Sequence, residues 1–209
     1  KDPLNNVTSF GYDKVGNQTS ITDALNHTTK ISYDGLSRPT VITDALGNKN
    51  TTSYDAVGNI IAETDQLGRT NKYIYDKRNL PTEVIDPLGN KTTTKYDAIG
   101  QITSVIDPNN NETKYTYDRL DRRIKITDAL SQNTNFTYDA EGNLLSLTDP
   151  NNNKTSYTYD RLNRMVTDTN QLGKIRSYTY DAVGNQTQIK DRNDRIRKFN
   201  YDKLDRNTS

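Results

Sequence analysis

A Tyr-Asp pair returns every 21 residues along this chain, ten times and without one insertion. The pairs are Tyr12-Asp13, Tyr33-Asp34, Tyr54-Asp55, Tyr75-Asp76, Tyr96-Asp97, Tyr117-Asp118, Tyr138-Asp139, Tyr159-Asp160, Tyr180-Asp181 and Tyr201-Asp202. A strict period of this size means that the fold is an array of one supersecondary unit, and the physics of one copy sets the physics of the chain. The reading is a single array over residues 1–209. The chain opens in a turn, Asp2-Pro3-Leu4-Asn5, and stops within a copy after Arg206, so it reads as a piece of a longer array.

Each copy carries two turn signals. The first follows the tyrosine, as in Asp13-Lys14-Val15-Gly16 and Asp34-Gly35-Leu36-Ser37. The second comes ten residues later, as in Asp44-Ala45-Leu46-Gly47 and Asp86-Pro87-Leu88-Gly89. The fourth turn position is only ever Gly, Ser, Asn or Asp, the residue set expected where the backbone takes positive φ. Its glycines are Gly16, Gly58, Gly100, Gly142 and Gly184 in the first turn and Gly47, Gly68, Gly89 and Gly173 in the second. Asp at the first position accepts a backbone N–H two residues on, and Pro at the second fits a type I or II turn.

Two turns per copy leave two short strands, filled by Thr, Ile, Val and Tyr with apolar and polar residues alternating. Thr40-Val41-Ile42-Thr43 and Tyr157-Thr158-Tyr159 are examples. Tyr157 and Tyr159 lie two apart and share a face, and Ile21, Ile42, Val84, Val105, Ile126, Leu147 and Ile189 oppose that aromatic row. Glu63 and Asp168 break the pattern, and the neighbouring Ile60, Ile61, Met165 and Val166 suggest a local frame shift or bulge there.

A period of 42 overlies the first. Alternate copies carry the first-turn glycine followed by Asn or Gln, whereas Arg38, Arg122, Arg164 and Arg206 mark the others, so the duplicated unit is a pair of copies. Copies ~10 Å apart would put like-charged Arg ~20 Å apart, beyond the ~8 Å screening length.

The arrangement fits a meander better than a stacked solenoid. Rungs ~4.8 Å apart would pile the Asp after each Tyr into a ladder of carboxylates near contact distance, whereas an antiparallel sheet doubles that spacing. The predicted fold is all-β, a repeat array of antiparallel β-hairpins. About twenty strands exceed what an open twisted sheet usually manages, so the array is expected to curl, with its Tyr and aliphatic face concave or covered.

Composition narrows function. Only 31% of the 209 residues are hydrophobic, mean hydropathy is −0.98, and net charge is +1. With few charges in excess there is no basic stripe for nucleic acid, and no apolar run approaches the ~20 residues of a membrane span. There is no Cys and one His, so thiolate zinc sites and thiol nucleophiles are excluded. His27, just after a turn in one copy, reads as an exposed loop residue rather than a catalytic base. The turn aspartates have a capping role that explains them without calcium. Asn-x-Ser/Thr triplets, such as Asn6-Val7-Thr8 and Asn90-Lys91-Thr92, are expected by chance in so Asn- and Thr-rich a chain. No enzyme, cofactor or metal is expected.

Tyr-Asp-x-x-Gly, the downstream Asp-x-x-Gly turn and the closing Tyr-x-Tyr-Asp resemble the YD repeat of RHS-repeat proteins and teneurins, over the whole chain. The family commonly has Gly-Arg after the turn; here Gly is followed by Asn or Gln, and half the copies replace Gly with Ser, Asn or Asp. The resemblance implies a β-hairpin per repeat, the hairpins winding as a spiral sheet into a hollow shell. In bacterial members the shell encloses a C-terminal toxic domain, and the protein is secreted or displayed at the cell surface or wall. The partners so implied are the remaining YD repeats and the core segment of the same polypeptide, with an enclosed toxin domain. The core segment and the toxin domain have no counterpart in these residues. The alternatives are a glycan-binding or adhesion module with exposed Tyr rows, and a calcium-stabilised adhesin stalk.

Overall fold

The structure, a computed structural model, describes residues 7–208. The turn Asp2-Pro3-Leu4-Asn5 and the Asn6 of the first triplet lie outside the described residues. The chain falls into two units, residues 1–110 and 111–209. Among the described residues all regular structure is β-strand, and every strand pairing is antiparallel.

The first unit holds β1 (Ser9–Tyr12), β2 (Gln18–Thr22), β3 (Thr28–Tyr33), β4 (Pro39–Thr43), β5 (Lys49–Tyr54), β6 (Ile60–Thr64), β7 (Thr70–Tyr75), β8 (Pro81–Ile85), β9 (Lys91–Tyr96) and β10 (Ile102–Ile106). The second holds β11 (Glu112–Tyr117), β12 (Arg123–Thr127), β13 (Asn133–Tyr138), β14 (Leu144–Thr148), β15 (Lys154–Tyr159), β16 (Met165–Thr169), β17 (Ile175–Tyr180), β18 (Gln186–Lys190) and β19 (Ile196–Lys198). Within each unit every strand pairs with the next in sequence, which is a meander. The turns after each tyrosine therefore line one edge of a unit, and the second turns line the other.

Both kinds of turn have one construction. In Asp34-Gly35-Leu36-Ser37, the Ser37 N–H donates to the Asp34 carbonyl at 3.1 Å, and the Asp34 N–H donates to the Arg38 carbonyl at 3.0 Å. Ser37 sits at φ 60, as do its equivalents Asn26, Asn79, Asp121 and Asn163 at φ 60 to 64. This is a type I turn closed by a left-handed residue, the three-residue hairpin loop whose fourth position sets the twist of the flanking strands. The third position is not left-handed, so type II does not occur in these loops. Pro87 and Pro150 occupy the second position, where no N–H is needed.

Each hairpin closed by a tyrosine turn carries a bulge. Ser32 faces Val41 and Tyr33 faces Pro39, which leaves Thr40 without a partner on β3; the shift recurs at Ser53/Tyr54, Ile74/Tyr75, Thr137/Tyr138, Thr158/Tyr159 and Thr179/Tyr180. Where the extra residue is Thr40, Thr82 or Thr187, its hydroxyl donates to the carbonyl of the residue before the tyrosine. The frame shift expected only around Glu63 and Asp168 is thus a property of the repeat. Those two residues keep the ordinary register, Glu63 opposite Thr52 and Asp168 opposite Tyr157.

No hydrophobic residue among those described is buried. The tyrosine and aliphatic side chains shield one another sideways along one face, with Ile42 still 42% and Val84 39% exposed. The cover anticipated for that face is not supplied by the described residues. Order comes instead from ladder hydrogen bonds and from the side chains that tie one copy to the next.

Candidate functional site

The tyrosine edge is where each copy meets its neighbour, and its geometry begins with the aspartate. Asp34 Oδ1 accepts the N–H groups of Leu36 and Arg38 at 2.9 and 3.0 Å, while Oδ2 accepts Arg38 Nε at 2.7 Å. These are loop N–H groups that the ladder cannot reach, and the carboxylate satisfies both. The pattern repeats at Asp55, Asp118, Asp160 and Asp181 and, on the other edge, at Asp23, Asp44, Asp65, Asp86 and Asp149. The Arg38 N–H holds the Asp34 carboxyl below the ordinary carboxylate range, against partial desolvation and with help from the guanidinium. For Asp65 the leading cause is the Arg69 side chain. Hydrogen bonds to the charged form always act in this direction.

The tyrosine then reaches backwards. Tyr33 ends β3 and its hydroxyl donates to the Gln18 carbonyl at the start of β2, 2.9 Å away. The β2–β3 ladder stops at Ser20 opposite Lys30, so the bond closes the end of that hairpin that its own turn does not. The same reach of fifteen residues joins Tyr54 to Pro39, Tyr75 to Ile60 and Tyr96 to Pro81, and in the second unit Tyr138 to Arg123, Tyr159 to Leu144, Tyr180 to Met165 and Tyr201 to Gln186. Tyr12 belongs to the first described copy and is 61% exposed. Tyr117 ends β11.

A second set of links runs forwards and alternates in kind. In one kind of copy, Asn donates Nδ2 to the side chain at the left-handed position of the next turn: Asn17 to Ser37, Asn59 to Asn79, Asn143 to Asn163 and Asn185 to Asp205, at 2.9 to 3.0 Å. In the other, Arg donates Nη1 to the next turn's Asp carbonyl: Arg38 to Asp55, Arg122 to Asp139 and Arg164 to Asp181. Each of these guanidinium groups lies over the next tyrosine ring, 4.6 to 4.9 Å from its centre. Where Leu80 takes the arginine's place, Arg78 from within the turn makes the bond to the Asp97 carbonyl.

This alternation accounts for the 42-residue period. A copy that receives an asparagine needs a side chain at its left-handed position, and a copy that receives an arginine carries glycine there. At Gly58 the backbone φ of 103 is what disfavours a side chain, since an added Cβ would meet Arg38 Nη1 only in ordinary contact at 3.9 Å. The spacing of like charges offered from the sequence is not needed to explain the pattern. Sequence reasoning assigned Tyr to packing and Asp to turns; it missed the tyrosine hydroxyl and the arginine link. The signal was present in the exclusive pairing of Asn17, Asn59, Asn143 and Asn185 with a side-chain-bearing turn 20 residues on.

Other candidates stand apart from this edge. His27 is 63% exposed at its side chain and hydrogen bonds Asp23. Asn90 donates its amide to Asp86 Oδ2. Among the described residues no group of three or more His, Cys, Asp or Glu is placed to hold a metal, and no helix is long and apolar enough to cross a membrane. Glu63 accepts the Tyr73 hydroxyl at 2.7 Å, and that bond, with some burial, pushes the Tyr73 phenol up to about 12.

The sequence model of the Teneurin YD-shell family matches residues 3–113, and that of the RHS Repeat matches residues 96–132 and 138–175. No curated protein matches the chain by sequence. Among solved structures, a Photorhabdus luminescens Tc holotoxin pore aligns with TM-score 0.70 at 15% identity, over 97% of this chain and 15% of that one. The TcdB2-TccC3-Cdc42 structure aligns with TM-score 0.51 at 16% identity, over 96% of this chain and 14% of that one. The chain thus spans about one seventh of the length of the solved chains it matches.

Proposed function

The chain belongs to the Teneurin YD-shell family, and from that premise we propose that it is a length of protein wall: a scaffold segment of a larger secreted or surface protein that encloses or displays a toxin-like domain. The observation that carries this reading is where the side chains of the repeat are spent. Tyr33, Tyr54, Tyr75 and Tyr96 are tied to the copy before, and Arg38 and Asn59 to the copy after. Residues engaged in joining copies are not free to act on a substrate, so the role is non-enzymatic and the mechanism is exclusion. The likeness to the Tc holotoxin chain supports the enclosure of a toxin-like domain and an extracellular setting. The partners are further YD copies and a core segment of the same polypeptide.

The glycan-binding alternative draws less support, because a guanidinium already lies over the rings of Tyr54, Tyr138 and Tyr180, on a face where a sugar would stack. Limited proteolysis of the full-length protein that carries these copies tests the wall. Sequence C-terminal to the array should resist cleavage while the copies remain folded and lose protection when they unfold. Cleavage at the rate of an isolated passenger, with the copies still folded, would refute it.

A further inference from the structure

We propose that the last two copies of the second unit hold a cleft for a carboxylate-bearing peptide segment, built on Arg176 and Arg197. The position these residues occupy is Thr or Asn in each earlier copy from Thr29 to Thr155. Across the sheet, Asp168 faces Arg176, and Tyr178 faces Ile189, which in turn faces Arg197, all on the tyrosine face.

Asp168 is 5% exposed and already neutralised: it accepts the Tyr178 hydroxyl at 2.8 Å and an ion pair from Arg192, whose side chain folds back from the turn between β18 and β19. Arg176 lies farther off, 3.8 Å from the same carboxylate, and its side chain is 42% exposed. Arg195 is tied to Asp191. Arg197 has no acidic partner among the described residues. Four guanidinium groups therefore meet two carboxylates, an excess of two positive charges in a chain whose total is +1. Arg192 Nε is also buried with no acceptor.

A cleft of about 510 Å³ opens between Arg176, Arg197, Tyr178, Ile189 and Ile196, with the paired Asp191 and Arg195 completing its wall. Its size suits one or two residues of polypeptide. The pairing of planar, fork-shaped donors with aliphatic and aromatic walls suits an acidic side chain beside an apolar one better than a bare anion. Arg176 and Arg192 are partly explained by the need to neutralise Asp168. Arg197 stands at the same register as Arg176 one copy on, so a ligand lying across both copies would meet both guanidinium groups.

The inference stands apart from the wall reading, which protease protection tests. Here the readout is an NMR titration of the arginine Nε–H signals of the 209-residue chain with the peptide Ac-Ile-Glu-Val-Asp-NH2. Signals of Arg176 and Arg197 should shift, and binding should weaken about fivefold in Arg197→Gln and more in the double variant with Arg176→Gln, while Arg69→Gln, in a turn of the first unit, leaves it unchanged. The single variant keeps the test valid if the double variant does not fold. Equal binding of Ac-Ile-Gln-Val-Asn-NH2, equal binding of inorganic phosphate, no shift at all, or unaltered affinity in Arg197→Gln would each overturn the proposal.

Discussion

The hydroxyl of Tyr159 donates to the main-chain carbonyl of Leu144 at 3.0 Å, fifteen residues back and one strand away. One oxygen atom thus holds the end of β15 against the start of β14, beyond the last ladder pair of Ser146 with Ser156. Tyr159→Phe keeps the ring and removes only this bond, so it should cost about 1 kcal/mol in denaturant unfolding, with the m-value unchanged. An effect near zero would mean that the ring alone carries the tyrosine's role.

The forward links predict that arginine and lysine are not exchangeable. Arg164 uses Nε and Nη2 on its own Asp160, Nη1 on the Asp181 carbonyl, and its plane on Tyr180. A lysine ammonium cannot hold all three positions at once. Arg164→Lys should destabilise by about 1 kcal/mol, most of the loss seen with Arg164→Ala, as read by thermal or urea unfolding.

Glycines at the two edges are not equivalent. Gly58 and Gly184 have φ of 103 and 107, whereas Gly68 and Gly173 have 77 and 71, close to the value that asparagine holds elsewhere in this chain. Gly184→Asn should therefore cost about 1 kcal/mol, and Gly173→Asn only a few tenths. Equal melting temperatures for the two variants would contradict this.

Acid should loosen the turns over a defined range. The carboxyls of Asp160 and Asp202 are held low chiefly by the N–H groups of Arg164 and Arg206, and that of Asp149 by the Asn153 side chain. A group whose folded pKa is lowered contributes its full stabilisation above the unfolded value, near 4, and loses it as pH falls through the folded value. The melting temperature should be flat from about pH 8 to pH 5 and then fall steadily below about pH 4. Asp160→Asn should move less over the acid limb than the parent chain, as followed by circular dichroism.

Tyr73 offers a site-resolved check. Its phenol should titrate near pH 12, and Glu63→Gln, which removes the charge beside it, should bring it down towards 10. Titration of ring-labelled tyrosine by NMR reads both values.

The antiparallel pairing was legible because Asp34, Asp55 and their equivalents make a stacked arrangement costly, and the strands because Thr40 to Thr43 alternate between two short turns. The fourth turn position was legible because residues as different as Gly47 and Asn26 share only their tolerance of positive φ. What escaped were relations at fixed distance between copies. The Tyr33 hydroxyl meets a main-chain carbonyl, which every residue possesses, so Gln18, Pro39, Ile60 and Pro81 accept equally and no residue type marks the site. The bulge at Thr40 or Thr82 escaped for a similar reason, since an unpaired residue beside a turn leaves alternation intact on either side, whereas the one at Ile61 was legible. Glu63 and Asp168 suggested a shifted frame because acids interrupt an apolar row, whereas Tyr73 and Tyr178 supply the hydroxyls that let them stay in register.

An array with no buried hydrophobic residue among those described has no interior there whose exposure would commit every copy to unfolding at once. Pulled from one end, such an array would part like a zipper, each hairpin resisting with little more than its own ladder, a tyrosine and one cross-link. Damage or force at one place stays there, and the remainder closes again from the nearest intact hairpin.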